Sequence, residues 1–268
     1  MDISIVIPCK DDTRIIRCID SIRENIEIVI VFNGSSDEYI KNITEHYVDS
    51  KKKLKYIKIK QANLALALEK GTWSSKNDCV LYMDSDCTYD KGAIKAFYYK
   101  VSAGDPKSEV YKGDVIFENS GSIISKIIAK SRQHHTAEKL TAYKPPLLVS
   151  KKIARKIGGY FFNEKLIWRE DADLDNRIRK ANIKIIHVPK GKIYHEALTL
   201  KTDLRSTFRY GIGGAIAKSL NIKLTEVPRS FRSTLASQGI LPALYMLFRN
   251  RFYTAGYYYQ QIKSSFCE

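Results

Sequence analysis

The sequence has few of the features that mark a disulfide-bonded, zinc-binding or membrane-spanning chain. Only 5 of its 268 residues are cysteine, and these form no C-x-x-C pair. Neither a disulfide framework nor a zinc knuckle is therefore encoded, and we expect reduced thiols. An apolar run over residues 240–248 ends at Arg249, well short of the ~20 apolar residues that a membrane-spanning helix needs.

Proline is also scarce, with 7 residues, whereas the chain has 17 Tyr, 10 Phe and a hydrophobic fraction of 44%. This composition excludes disorder as the main state. Residues 1–8 lack the basic segment that opens a secretory signal, so we expect a cytoplasmic protein. Acidic residues number 29 against 45 Lys and Arg, for a net charge of +16. Such a balance favours acidic partners: nucleotide phosphates, anionic lipids or nucleic acid.

Short apolar strands alternate with helical patterns in the first third of the chain. Strands are predicted at 3–8, 27–32, 54–59 and 78–83, and helices at 12–25, 37–48 and 62–70. Strands that alternate with helices and are joined by short turns indicate an α/β fold. We expect a mostly parallel central sheet with helices on both faces and ligands at the carboxyl ends of its strands.

The pattern changes after Gly92. Helices are predicted at 93–102, 122–140 and 170–180, and strands at 109–118, 184–188 and 192–195. Residues 199–268 carry ten Lys or Arg against three Asp or Glu. We therefore predict three parts: a first half of the domain over 1–92, a second half of the same domain over 93–197, and a basic, aromatic, helical C-terminal extension over 198–268.

Two carboxylates lie where the strand at 78–83 ends, in the sequence Asp84-Ser85-Asp86. Mg²⁺ prefers oxygen ligands and is commonly held by one or two carboxylates together with substrate phosphates. The spacing is therefore consistent with a divalent cation bound to a diphosphate. A solvated turn explains the same residues equally well.

Taken together, the motifs resemble those of family 2 glycosyltransferases, and the resemblance covers Met1 to about Gly214. It rests on a series of segments in matching order and spacing: Asp2 to Pro8, Asn33-Gly34-Ser35-Ser36-Asp37, Gly71, Asp84-Ser85-Asp86, Gly158-Gly159-Tyr160-Phe161, Arg169 to Leu174, Arg177, Pro189 and His195. The resemblance implies a GT-A fold, in which a Rossmann-like sheet binds a nucleotide sugar. It also implies that residues 1–92 form the nucleotide-sugar-binding half of the domain and residues 93–197 its acceptor-binding and catalytic half. The sugar would be transferred with inversion at its anomeric carbon.

The resemblance assigns catalytic and metal-binding roles to particular residues. Asp86 and Asp84 would bind Mn²⁺ or Mg²⁺ on the donor diphosphate, with Asp84 nearer the ribose, and His195 would approach the metal. The catalytic base would come from the pair Glu170 and Asp171, with Asp171 as the expected base. Helix capping is the alternative role for this pair, because acidic residues in the first turn favour the helix dipole.

The donor base is expected near Pro8, Asp11 and Asn33, at the ends of the first two strands. At residues 32–33 the chain has Phe-Asn where the family commonly has paired acids, and an Asn amide can still pair with a pyrimidine edge. A UDP-sugar is our first expectation. Arg209, in an Arg-Tyr-Gly segment that resembles one found in many family members, is a candidate for binding the diphosphate. A solvated arginine is nearly as good an explanation in so basic a region.

Two further features each allow two interpretations. Trp168 either stacks on a sugar ring or belongs to the core. In the C-terminal extension, apolar residues at helical spacing fit an amphipathic helix on an anionic membrane surface, or a helix packed on the catalytic domain. The first interpretation of the extension would place the protein peripherally on the inner face of the cell membrane.

The sequence therefore predicts a metal-dependent glycosyltransferase that acts on a glycan or a lipid-linked acceptor. Two alternatives remain. The charge alone would fit a nucleic-acid-binding protein, but no helix-turn-helix, zinc-finger or RNP motif is recognisable, and we expect no specific nucleic-acid partner. A metal-dependent nucleotidyltransferase would also use paired carboxylates, but the first strand end, Pro8 to Asp12, lacks the glycine-rich loop typical of such enzymes.

Overall fold

A computed structural model describes residues 2–103, 109–137, 140–226 and 231–266. Within these residues, eight strands form one sheet: β1 (Ile3–Cys9), β2 (Glu27–Asn33), β3 (Lys53–Ile59), β4 (Cys79–Tyr82), β5 (Cys87–Tyr89), β6 (Val110–Phe117), β7 (Leu147–Ser150) and β8 (Ile185–His195). Their spatial order is β3-β2-β1-β4-β7-β6-β8-β5.

Most of the strand pairs are parallel. The first four strands are parallel to one another, and β6 is parallel to β8. Strand β7 runs antiparallel between β4 and β6, and β5 is antiparallel to β8 at the edge of the sheet. The expected α/β architecture with a mostly parallel sheet is confirmed. Strands from before and after residue 92, the predicted limit of the first half, belong to the same sheet. The division of the chain into three parts stays a prediction.

Nine α-helices are described: α1 (Ile15–Ser21), α2 (Asp37–His46), α3 (Leu64–Ser74), α4 (Ala93–Ser102), α5 (Ile123–Ala137), α6 (Glu170–Lys180), α7 (Leu200–Ser219), α8 (Phe231–Gln238) and α9 (Ile240–Ser265). Side chains that accept a hydrogen bond from a backbone N–H cap several of them. Ser36 caps α2, Asn63 caps α3 and Thr199 caps α7. Such caps satisfy donors that have no partner within the helix.

Helices cover both faces of the sheet, and the central strand β1 is therefore buried on both sides. All seven of its residues are buried, as the near-continuous apolar run of a central parallel strand predicts. Ile3, Ile5 and Ile7 face a core formed with α1, α2 and α4. Val6, on the other face of the strand, belongs to a second core that includes residues of α3 and α6. This alternation follows the two-residue period of a strand.

The predicted strands at 184–188 and 192–195 form one strand, β8. The register between β6 and β8 shifts at Gly113/Asp114, so the intervening residues of β8 bulge without ending the pairing. A Cβ atom on Gly113 would lie 1.9 Å from the carbonyl oxygen of Gly191. Two glycines face each other at the irregularity, and this close approach of two backbones keeps the strand continuous.

Helices α7 and α9 cross at a close glycine contact in the C-terminal extension. A Cβ atom on Gly211 would lie 2.0 Å from the Tyr253 carbonyl oxygen, and one on Gly256 would lie 2.0 Å from that of Phe208. The absence of side chains at these two positions lets the helix backbones approach each other. The contact holds α9 firmly against α7.

Two expectations about the whole chain concern its thiols and its hydrophobic segments. The described cysteines are free, as expected, and they are Cys9, Cys18, Cys79 and Cys87; Cys267 lies outside the described residues. Among the described helices, none combines the length and the apolar character needed to cross a bilayer.

Candidate active site

The two aspartates of the Asp84-Ser85-Asp86 segment lie in the short loop between β4 and β5. Because β5 is antiparallel to β8 with Cys87 opposite His195, the histidine comes to the side of this loop. Its Nε2 lies 3.6 Å from Oδ2 of Asp86. The structure therefore brings together a carboxylate and an imidazole that are more than a hundred residues apart in the sequence.

The orientation of the His195 ring leaves Nε2 suited to bind a metal. Its Nδ1–H donates a hydrogen bond of 2.8 Å to the carbonyl oxygen of Glu196. A carbonyl oxygen can only accept, so in the neutral ring the proton is on Nδ1 and the lone pair is on Nε2, facing Asp86. A carboxylate and an imidazole nitrogen that face each other are suitable donors for Mn²⁺.

A third potential donor close to this pair is a thiol. The Cys87 sulfur lies within 4.8 Å of the donor atoms of Asp86 and His195. Cys87 is almost fully buried, and burial, reinforced by Asp86, raises the pKa of its thiol well above the usual range. A protonated thiol is a poor ligand for a hard cation, so Asp86 and His195 are better candidate ligands than Cys87.

Asp84 is linked to the predicted base pair through a buried lysine. The Nζ atom of Lys144 lies 3.2 Å from Oδ1 of Asp84 and 3.5 Å from Oε1 of Glu170. Burial opposes the charge of this ammonium, but the carboxylates of Asp84 and Glu170 outweigh it and raise the pKa of Lys144. Lys144 is therefore a fixed positive charge between the two acidic motifs.

Asp171 is the second residue of α6. It lines a cavity of about 280 Å³ together with Asp84, Asp86 and His195. Burial, and next the charge of Glu170, raise the pKa of Asp171 to about 7. Glu170 itself is buried, ion-paired with Lys144, and is not among the residues that line the cavity. The geometry thus distinguishes the two members of the pair.

The residues that precede α6 have an unusual backbone. Trp168 and Arg169 have φ values of 69° and 68°, in the left-handed region that side chains disfavour. Arg169 is held there by an ion pair of 3.1 Å with Glu226 and a hydrogen bond of 3.2 Å to the Tyr253 hydroxyl. Both partners belong to the C-terminal extension, which therefore fixes the start of the helix that carries Asp171.

Arg209 lies against Trp168. Its guanidinium carbon is 4.9 Å from the centre of the Trp168 ring, a cation–π distance, and neither residue is among those that line the cavity. Tyr210, the next residue, does line it and makes an edge contact with the Trp168 ring. The proposed diphosphate contact of Arg209 and the proposed sugar contact of Trp168 both stay predictions.

The predicted donor-base residues lie at the carboxyl ends of β1 and β2. Pro8 is buried in β1 opposite Val31. Asn33 ends β2, and its side-chain oxygen accepts a hydrogen bond of 2.7 Å from the Asn63 backbone N–H. Asp11, just beyond β1, accepts one of 2.9 Å from the backbone N–H of Ser36. The three therefore border the same end of the sheet.

This region is joined to the loop that holds Asp84 and Asp86. The Ser85 hydroxyl donates a hydrogen bond of 2.8 Å to Asp12, and Arg14 forms ion pairs with Asp12 at 2.8 Å and with Glu196 at 2.9 Å. Arg14 also approaches Asp86 at 3.8 Å. A network of charges thus connects the ends of β1, β4 and β8.

Sequence reasoning missed two lysines of the cavity, Lys112 and Lys144. Lys112 projects from β6, and its ammonium donates a hydrogen bond of 2.8 Å to the Pro145 carbonyl oxygen. Burial lowers the pKa of Lys112 to about 7, against the opposing effect of Asp171. A lysine within an apolar strand was the available signal for Lys112, whereas the spacing around Lys144 gives none.

An α/β fold with carboxylates and an imidazole at the carboxyl edge of its sheet is the arrangement that the resemblance to GT-A-type transferases implies. Residues 4–168, more than half of the chain, match the family described as "Glycosyl transferase family 2". The chain belongs to that family. The match favours the transferase interpretation over the two alternatives drawn from charge and from paired carboxylates.

Solved structures show the same fold. TarS 1–349 of S. aureus, in complex with UDP-GlcNAc, is 17% identical with a TM-score of 0.58, covering 84% of this chain and 68% of that one. The mannosyltransferase PcManGT of Pyrobaculum calidifontis, in complex with GDP-Man and Mn²⁺, is 15% identical with a TM-score of 0.61, covering 95% and 73%. The GT-A fold is confirmed. A search of curated proteins finds no match.

Proposed function

We propose that this chain is an inverting, metal-dependent glycosyltransferase. It would move a sugar, in our proposal a hexosyl group, from a nucleoside-diphosphate donor to a hydroxyl of a glycan or a lipid-linked acceptor. The observation that carries the proposal is that Asp171 lines the same cavity as Asp84 and Asp86. A proton acceptor and a cluster of potential metal ligands thus face one space, as a single displacement requires.

In the proposed reaction, Asp171 accepts the proton of the acceptor hydroxyl. The acceptor oxygen forms a bond to the anomeric carbon while the bond from that carbon to the diphosphate oxygen breaks. The bonding electron pair leaves with the nucleoside diphosphate, and one displacement inverts the anomeric configuration. A base with a pKa of about 7 is suited to proton transfer at neutral pH, because it is both ionised and basic enough.

Asp86, His195 and Asp84 would hold Mn²⁺ or Mg²⁺, and Glu170 would act on Asp171 through its charge. When bound, the cation supplies electrostatic stabilisation of the charge that develops on the diphosphate. Lys144 keeps Asp84 in place at 3.2 Å in the structure. Its positive charge adds to the favourable potential for an anionic donor.

We assign the donor nucleotide to the ends of β1 and β2, with Pro8, Asp11 and Asn33 around the base and Arg209 as the candidate for the diphosphate. The location agrees with the rule that open α/β sheets bind ligands at the carboxyl ends of their strands. TarS is complexed with UDP-GlcNAc and PcManGT with GDP-Man. We propose a UDP-sugar as the first donor to test, for an enzyme located peripherally on the inner face of the cell membrane.

The proposal is tested first by thermal shift with a set of nucleotide sugars, with and without Mn²⁺, because a bound donor stabilises the folded state. With the donor found, release of nucleoside diphosphate is measured. Asp171→Asn should lower the rate by at least about 100-fold while the donor still stabilises the protein. Asp86→Asn should remove the part of the stabilisation that depends on Mn²⁺.

Asp49→Asn, an exposed aspartate beyond α2, is the matched control and should leave rate and stabilisation unchanged. A fully active Asp171→Asn variant would refute the assigned base. Release of pyrophosphate in place of nucleoside diphosphate would identify the chain as a nucleotidyltransferase.

A further inference from the structure

Helix α9 has one packed face and one exposed face. Its buried residues, which include Met246, Arg249 and Gly256, lie towards α5, α7 and α8. On the opposite side, five apolar residues that recur at helical spacing are 48% to 58% exposed: Leu241, Leu244, Phe248, Tyr259 and Ile262. We call these five residues the outer face of α9. They form two groups, at 241–248 and at 259–262, with the exposed Arg251 between them in the sequence. Exposed apolar patches of this kind mark interaction sites.

The charges around the outer face all have one sign. Residues 227–266 contain no Asp or Glu, so neither α8 nor α9 carries a carboxylate. Arg232, Arg251 and Lys263 are exposed on these helices. An apolar face with basic residues and no acidic ones complements an anionic lipid surface, which takes up apolar side chains and attracts lysine and arginine.

We propose that the outer face of α9 lies on an anionic membrane surface and anchors the protein there peripherally. The 26 residues of the helix extend over about 39 Å, enough for the whole outer face to lie in the plane of the lipid head groups. The two interpretations of the C-terminal extension, packing on the catalytic domain and lying on a membrane, are then compatible. One side of the helix packs on the protein and the other remains available to lipid.

The position of α9 connects this face to the reaction, and this step rests on the proposed function. Arg249 lines the cavity from the inner side of the helix, whereas Phe248 and Arg251 are exposed on its outer side. The lipid surface would therefore be about one helix diameter, ~10 Å, from the cavity wall. A hydroxyl on a lipid-linked acceptor would then be presented close to Asp171.

Binding to lipid vesicles tests the proposal. The protein should co-sediment with phosphatidylglycerol vesicles, bind phosphatidylcholine vesicles much more weakly, and lose affinity as salt is added. Leu244→Ser combined with Phe248→Ser should weaken binding at least tenfold, because two apolar side chains lose their burial. Arg251→Glu combined with Lys263→Glu should weaken it by about 30-fold or more, from about 1 kcal/mol for each charge.

Two control variants carry the same changes elsewhere on the surface. Ile123→Ser with Ile124→Ser removes exposed apolar residues at the start of α5, and Lys70→Glu with Lys95→Glu reverses exposed charges on α3 and α4. The apolar control should bind vesicles like the parent chain. The charge control should lose much less affinity than Arg251→Glu with Lys263→Glu, since its lysines lie away from the outer face.

Absence of vesicle binding, equal binding to neutral vesicles, or equal effects of test and control variants would overturn the proposal. A dimer that the Leu244→Ser/Phe248→Ser variant converts to a monomer, without vesicle binding by the parent chain, would instead assign this face to a second copy. Asp86→Asn separates the two hypotheses: it should abolish transfer and retain vesicle binding. Failure of the proposed enzyme would therefore not be mistaken for failure of the membrane contact.

Discussion

The charge of Glu170 should set the pH at which transfer begins to fail. Asp171 must be ionised to accept a proton, so kcat/KM should fall below its pKa of about 7, tenfold for each pH unit. Replacing Glu170 by Gln removes a neighbouring negative charge. Ionisation of Asp171 then becomes easier, and the acidic limb of the profile should move to lower pH.

The size of the shift follows from the charges around Asp171. Its pKa rises from 3.8 to about 7, a cost of about 4 kcal/mol for ionisation in the folded protein. Burial is the largest cause and Glu170 the second. Two like unit charges at an effective dielectric constant of about 20 repel by about 4 kcal/mol at ~4 Å and by about half of that at twice the distance. In Glu170→Gln the limb should therefore move by one pH unit or somewhat more.

The assay is kcat/KM from nucleoside diphosphate release between about pH 5 and pH 9, on either side of the expected pKa. The plateau of Glu170→Gln should be lower, because a less basic carboxylate is a weaker proton acceptor. Glu164→Gln, at an exposed site before α6, is the matched control and should keep the parent profile. An acidic limb that stays in place in Glu170→Gln would refute the electrostatic role of Glu170.

Two further predictions concern stability. Asp171→Asn should raise the free energy of unfolding at pH 8 by as much as about 4 kcal/mol. The reason is that the raised pKa of Asp171 makes the parent chain lose stability as pH rises from about 4 to about 7. In urea unfolding across this range, the stability gained by the variant should vanish at low pH, and a gain that is the same at every pH would contradict the raised pKa. Lys144→Met should lower the free energy of unfolding by about 3–5 kcal/mol, because Glu170 and Asp84 lose the ammonium that pairs with them. Adding Glu170→Gln should recover much of the lost stability. The control Lys95→Met, at an exposed site, should cost less than about 0.5 kcal/mol.

The parts of the fold that the sequence predicted are those determined by local patterns. A short run of β-branched apolar residues suffices to identify β1. An apolar strand that runs into Asp84 and Asp86 places these carboxylates at a sheet edge. Within the second half, prediction was weaker at β8, since the bulge opposite Gly113 depends on two backbones meeting across the sheet. This contact between distant backbones produces no recognisable sequence pattern in either segment.

The candidate site was predictable only where a resemblance connected distant residues. Spacing alone does not bring His195 to Asp86, because their proximity depends on the pairing of β5 with β8. Lys112 and Lys144 were missed because a lysine in a basic chain is usually solvated. What makes these two lysines different is burial among carboxylates from other elements, and only the folded arrangement creates it.

The C-terminal extension contacts the residues that lead into α6, the helix that carries Asp171. Gly213 of α7 lies so close to the residues before α6 that a Cβ atom there would be 2.6 Å from the Trp168 carbonyl oxygen. Glu226 and Tyr253 hold the guanidinium of Arg169. Two consecutive left-handed residues without glycine persist only where surrounding contacts impose them. Since Asp171 follows directly, the same helices that could meet a lipid surface also determine where the proposed base, Asp171, lies.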